Sequence, residues 1–161
     1  MKATFRPLVL IVILLVFCTS CSNDGNDDKQ STASNLIVEN SPWAFQSYQL
    51  ISITDAGPST ITTAEIEDQI NADFNGAVIS FKADGTGQLT APGFSTDIQW
   101  TLMNNDTEMK LVLLDLPAPD NQTLFDGLVI TSSQFKFNSD SSVYDADADY
   151  EVGVYGSYIF Q

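Results

Sequence analysis

Three aspartates, Asp145, Asp147 and Asp149, alternate with Ala146 and Ala148. In an extended strand their carboxylates would share one face, and oxygen ligands gathered in this way suit calcium. The spacing echoes the first half of an EF-hand loop. Such a loop needs glycine at its sixth position and an acidic residue at its twelfth, where this chain has Tyr150 and Gly156. The EF-hand is therefore rejected. Carboxylates on one side leave most of calcium's coordination shell unfilled, and Glu151 would point the opposite way. A solvated acidic loop or strand edge fits better, charges at an exposed edge also discouraging strand pairing, and no metal site is expected. Paired carboxylates can also serve as acid and base in glycoside hydrolysis, but nothing singles out a pair among the 21 acidic residues. Trp43 and Trp100 are the candidate ligand-binding residues: an indole can stack on a sugar or line an apolar pocket, and on a strand it equally suits a core.

Absent residue types close other routes. The chain has no histidine, and its two cysteines are Cys18 and Cys21. A Ser-His-Asp triad needs the first, and a tetrahedral zinc site needs nitrogen and sulfur ligands. No Gly-rich phosphate loop is present. The chain is expected to have no cofactor and not to be an enzyme.

The first residues are an address. Lys2 and Arg6 precede the apolar run Leu8–Phe17, followed by Cys18-Thr19-Ser20-Cys21. A basic start, a short apolar stretch and small residues before a processing point mark a secretory signal, and the run is well short of the ~20 residues that span a bilayer. The Thr19-Ser20-Cys21 box resembles that of bacterial lipoproteins, with Cys18 where leucine is usual. The resemblance implies cleavage before Cys21, lipid on its sulfur, and a place in the bacterial cell envelope, at the outer membrane. The acidic run Asn23–Asp28 resembles the surface-export tether of Bacteroidetes lipoproteins and so implies surface exposure.

Loss of residues 1–20 removes Lys2 and Arg6. Four lysines then face 21 acidic residues, a net charge of −17 with no arginine. Nucleic-acid binding, which rests on basic groups neutralising phosphates, is not expected. Attachment through a basic patch to an anionic bilayer is equally disfavoured, so the membrane link is the lipid, whose acyl chains contribute ~0.8 kcal/mol per buried methylene.

Residues 21–40 are polar apart from Leu36-Ile37-Val38 and read as a flexible acidic tether. Residues 41–161 are long enough for one domain with a core. Period-two alternation predicts strands over 43–53, 77–82, 87–91, 96–103, 109–116, 128–132, 134–138 and 150–160. Asp84-Gly85 and Asn104-Asn105-Asp106 supply turns, and Pro92-Gly93 ends a strand. One helix interrupts the strands. Thr62 and Glu65 form a capping box, Ile61 can staple to Ile66, and Ile66, Ile70 and Phe74 share a face that should cover the sheet. Asn75-Gly76 stops it. The fold class is all-β: an antiparallel up-and-down barrel of about eight strands with one short amphipathic helix.

The order of three features resembles Bacteroidetes secreted proteins with lipocalin-like domains. They are Trp43 at the head of the first strand, Ile79-Ser80-Phe81-Lys82-Ala83-Asp84-Gly85-Thr86-Gly87, and Ile98-Gln99-Trp100-Thr101-Leu102. The likeness spans about residues 41–160. Two features depart from true lipocalins: Ser41-Pro42-Trp43 replaces Gly-x-Trp, and the late arginine that stacks on that tryptophan is missing. The resemblance implies a non-catalytic domain holding a small apolar or amphipathic ligand in its barrel. The alternative is a structural or adaptor lipoprotein with a solid barrel whose surface binds an envelope protein or a glycan. Bulky inward residues would favour the second, small ones the first.

Overall fold

The computed structural model describes residues 33–119 and 121–161; the signal segment, Cys21 and most of the expected tether lie outside them. Helix α1 (Ala33–Glu39) leads into β1 (Trp43–Asp55), then α2 (Thr63–Asp73), β2 (Val78–Phe81), β3 (Thr86–Ala91), β4 (Phe94–Met103), β5 (Glu108–Leu113), β6 (Gln122–Ile130), β7 (Phe135–Asp145) and β8 (Tyr150–Phe160). Each strand pairs antiparallel with the next, and β8 returns to β1, closing an eight-stranded up-and-down barrel.

The turns form where the sequence supplies left-handed conformations. Gly85 has φ +81°, while Asp84 Oδ1 accepts from Thr86 N at 3.0 Å and Thr86 Oγ1 at 2.6 Å. Asn104, Asn105 and Asp106 hold φ of 51°, 56° and 65°, which short polar side chains tolerate better than others. Pro92-Gly93 is a full hairpin turn, because Ala91 pairs with Phe94.

The barrel has a closed and an open end. At the closed end α1 packs its one buried residue, Ile37, into the core, and the Trp43 indole donates to the Ile37 carbonyl at 2.8 Å. The segment expected as tether thus contains a helix over Ala33–Glu39, and among the described residues there are two helices where the sequence predicts one. Seven residues are too few to reveal a helical period, and a helix this short owes its stability to packing.

Two seams weaken the wall. β1 pairs with β2 only at Trp43 and Ala44. Beyond them α2 takes the place of a strand. Asn71 Oδ1 accepts from Tyr48 N at 2.7 Å, and Glu67 Oε1 accepts from Leu50 N at 2.8 Å. Four helical residues rise ~6 Å and two strand residues ~6.6 Å, so side chains at i and i+4 match amides at i and i+2. The second seam is between β6 and β7. Their pairing ends at Asp126 and Asn138, leaving Gln122–Phe125 paired only with β5 and Ser139–Asp145 only with β8.

Helix α2 is built as its sequence predicts. The Thr62 capping box is complete, Ile66 and Ile70 are buried, and Phe74 forms the C-cap. Phe74 reaches the barrel interior, where its ring lies 5.6 Å from Phe45 and 5.2 Å from Tyr158. Ile70→Ala is expected to lower the unfolding free energy by about 2–5 kcal/mol, and Thr62→Ala by about 1 kcal/mol. Urea denaturation measures both, and an unchanged midpoint for Ile70→Ala would mean that the helix is not packed on the barrel.

Candidate functional site

The interior is filled mainly by aromatic rings. Phe135 is central, with Trp43 at 6.0 Å, Phe81 at 5.3 Å, Phe137 at 5.3 Å and Phe160 at 5.9 Å between ring centroids. Each such pair contributes ~0.5–1.5 kcal/mol beyond its area. Toward the open end the inward residues become smaller, with Ser139 and Ser141 on β7 and Thr123 on β6. A cavity of about 190 Å³ remains there. Leu89, Leu111, Leu113 and Phe125 from β3, β5 and β6 line it together with Phe74 and Tyr158. It lies beside the β6–β7 seam, bordered by Thr123 and Ser139–Ser141. At Ser139 the hydroxyl donates to the Asp140 carbonyl at 3.2 Å, on the part of β7 that β6 does not reach.

A larger cleft of about 390 Å³ lies between α2 and the β7–β8 hairpin, lined by Thr60, Glu65, Gln69, Asp145 and Asp147 among others. It is polar, and the Glu65 and Asp145 carboxylates in it serve local structure. Asp145 ends β7, and residues 146–149 form a turn, with φ +50° at Asp149. The three aspartates therefore do not line one face of a strand. Asp145 Oδ1 accepts from Asp147 N at 3.0 Å and Ala148 N at 3.3 Å, and Oδ2 accepts from Ser59 Oγ. The Ser59 hydrogen bond holds the Asp145 carboxyl below the usual range. Among the described residues no group of three or more acidic, histidine or cysteine side chains is placed to hold a metal ion.

The two tryptophans take different positions. Trp43 is 1% exposed and packs against Phe135 under α1, as a core residue. Trp100 is 8% exposed; its indole donates to the Thr86 carbonyl at 3.0 Å, and it borders a groove of about 250 Å³ beside α1. Neither lines the interior cavity, and of its lining residues the sequence marks only Phe74, on the apolar helix face, and Ile79. The trace of the β6 and β7 lining in the sequence is the continued alternation Phe135, Phe137, Ser139, Ser141, Val143 on β7 and Thr123, Phe125 on β6.

Next to the cavity Tyr48 is 2% exposed, and its hydroxyl has no partner among the described residues. Its ring crosses β8 at Gly156, where a Cβ would come within 2.2 Å of the hydroxyl oxygen. Burial, and then the nearby Tyr158 and Glu67, push the Tyr48 phenol far above its ordinary value; burial also raises Tyr158, against a lowering hydrogen bond from Ser141.

No protein-family model matches the sequence, and no curated protein matches it.

These shifts give a two-sided pH dependence. Asp145 is depressed, so its contribution is present above the ordinary aspartate value and is lost as pH falls through the folded-state value. Tyr48 and Tyr158 are raised, so their contribution is intact below the ordinary tyrosine value near 10 and falls as pH rises above it, where the unfolded chain ionises first. Thermal melts across pH are expected to show losses in both ranges, with the alkaline loss reduced in Tyr48→Phe. Calorimetric titration with calcium is expected to show no stoichiometric micromolar site; one that disappears in Asp147→Asn would contradict this.

Proposed function

We propose that this protein is a lipid-anchored lipoprotein of the bacterial cell envelope, of the lipocalin-like kind, whose barrel binds a small apolar ligand without catalysis. The observation that carries the reading is the interior cavity of about 190 Å³ at the open end. Apolar lining with a few hydroxyls at the rim is the usual composition of a small-molecule site. The volume lies below the ~300–1,000 Å³ of drug-sized sites and slightly above a ~150 Å³ engineered cavity that binds benzene. The ligand is therefore the size of one ring or a short branched chain. The anchor is assigned to Cys21 on the strength of its sequence box, with α1 and the closed end of the barrel following it in the chain.

The packed aromatic centre favours a second reading, in which the barrel is a rigid scaffold and the surface binds an envelope protein or glycan. The two separate in one experiment. Toluene titrated into the Cys21→Ser chain is expected to shift the NMR signals of Leu111, Leu113 and Phe125 at saturable concentration. Leu113→Phe, which places a ring at the rim, is expected to weaken this at least tenfold. Toluene that leaves these signals unmoved would favour the scaffold reading.

Anchoring is tested separately. Cys21→Ser should move the protein from the membrane to the soluble fraction, and Cys18→Ser should not. Membrane retention of the Cys21→Ser protein would remove the lipid anchor from the account.

A further inference from the structure

The cavity lies in a one-sided electrostatic setting. The described lysines are Lys82, Lys110 and Lys136. Lys82 follows the last residue of β2, Lys110 is the third residue of β5, and Lys136 is the second residue of β7. The antiparallel order places all three positions toward the closed end, with the Trp43 end of β1. The cavity is reached at the opposite ends of the same strands, through Leu113, Thr123 and Ser139–Ser141. Among the described residues the charged groups at that end are carboxylates, with Glu65 and Glu67 on α2, Asp115 after β5, Asp140 on the strand edge beside the cavity, and Asp145 and Asp147 at the β7–β8 hairpin.

A ligand that fills the apolar cavity must leave its polar end at this rim. An uncharged end finds the hydroxyls of Thr123, Ser139 and Ser141. An amine also meets the negative field of the carboxylates around this end. A carboxylate finds no cation at this end among the described residues, and a partly desolvated charge without a partner is strongly disfavoured. The net charge of the chain acts in the same direction at longer range. Resting on the reading of this cavity as a ligand site, we infer that it takes small apolar molecules with an uncharged or amine-bearing polar end, and rejects carboxylates, free fatty acids included.

Three probes with one ring and different heads test this on the full Cys21→Ser chain: benzyl alcohol, benzylamine and benzoate. Calorimetric titration at low salt is expected to show binding of the first two and at least tenfold weaker binding of benzoate. The gap between benzylamine and benzoate should narrow at high salt, because exposed charges are screened. Asp140→Lys, an exposed substitution that reverses one charge beside the opening, is expected to weaken benzylamine about two- to fivefold, leave benzyl alcohol unchanged and improve benzoate. Benzoate binding as tightly as benzyl alcohol in the unsubstituted chain would overturn the charge rule while leaving the cavity as a site. Failure of all three to bind would instead overturn the cavity as a ligand site, and the charge rule with it.

Discussion

Much of this barrel depends on how the free edge of β1 is satisfied. β2 is four residues long and meets β1 at two positions, so most of the thirteen-residue β1 would expose backbone amides on that side. Buried or half-buried amides without partners cost about 1–3 kcal/mol each. Asn71 and Glu67 answer at the two positions next to the core. They lie one helical turn apart on the side of α2 adjoining its apolar face, so docking Ile66 and Ile70 and satisfying β1 are one event. The same docking carries Phe74 between Phe45 and Tyr158 and makes the helix part of the cavity wall.

The interior then follows a gradient. At the closed end Ile37, Trp43, Phe81 and Phe135 pack ring on ring, with the Trp43 indole tied to α1. At the open end serines and a threonine replace rings on the inward face. The loss of side-chain volume coincides with the point where β6 and β7 part, so cavity and seam share a cause: inward residues there neither fill the space nor bridge to a neighbour. A barrel can be rigid at one end and receptive at the other by this means alone. Charge differs along the same axis: the described lysines lie toward the packed end among carboxylates such as Glu39, Asp84 and Glu108, whereas the described charged groups around the open end are carboxylates alone.

Much of the fold is legible in the sequence. Alternation with aromatics reports β1, β4 and β8, Asp-Gly and Asn-Asn-Asp report their turns, and Thr62 with Glu65 places α2. What escapes has physical reasons. Ser139 and Ser141 keep the period of β7 but are polar, so alternation of apolar residues stops at Phe137, although the strand continues to Asp145. The start of β6 follows a proline-rich loop that hides it. The aspartates beyond β7 suggest an extended strand because alanine spacing imitates period two, whereas Asp145 caps a tight turn. Glu67 and Asn71 look like solvent-facing helix residues, and only the neighbouring strand gives them work. The cavity was hidden for the same reason: it is defined by what adjacent strands fail to fill.

The wall beside β1 depends on α2 acting in place of a strand, and amide hydrogen exchange at Tyr48 and Leu50 tests that directly. Both amides should be protected to a degree comparable with Phe45, which is bonded to the Ala77 carbonyl. In Asn71→Ala the Tyr48 amide should exchange much faster while Phe45 is unchanged. Tyr48 and Leu50 amides that exchange in the intact protein as fast as in an unstructured chain would contradict the account.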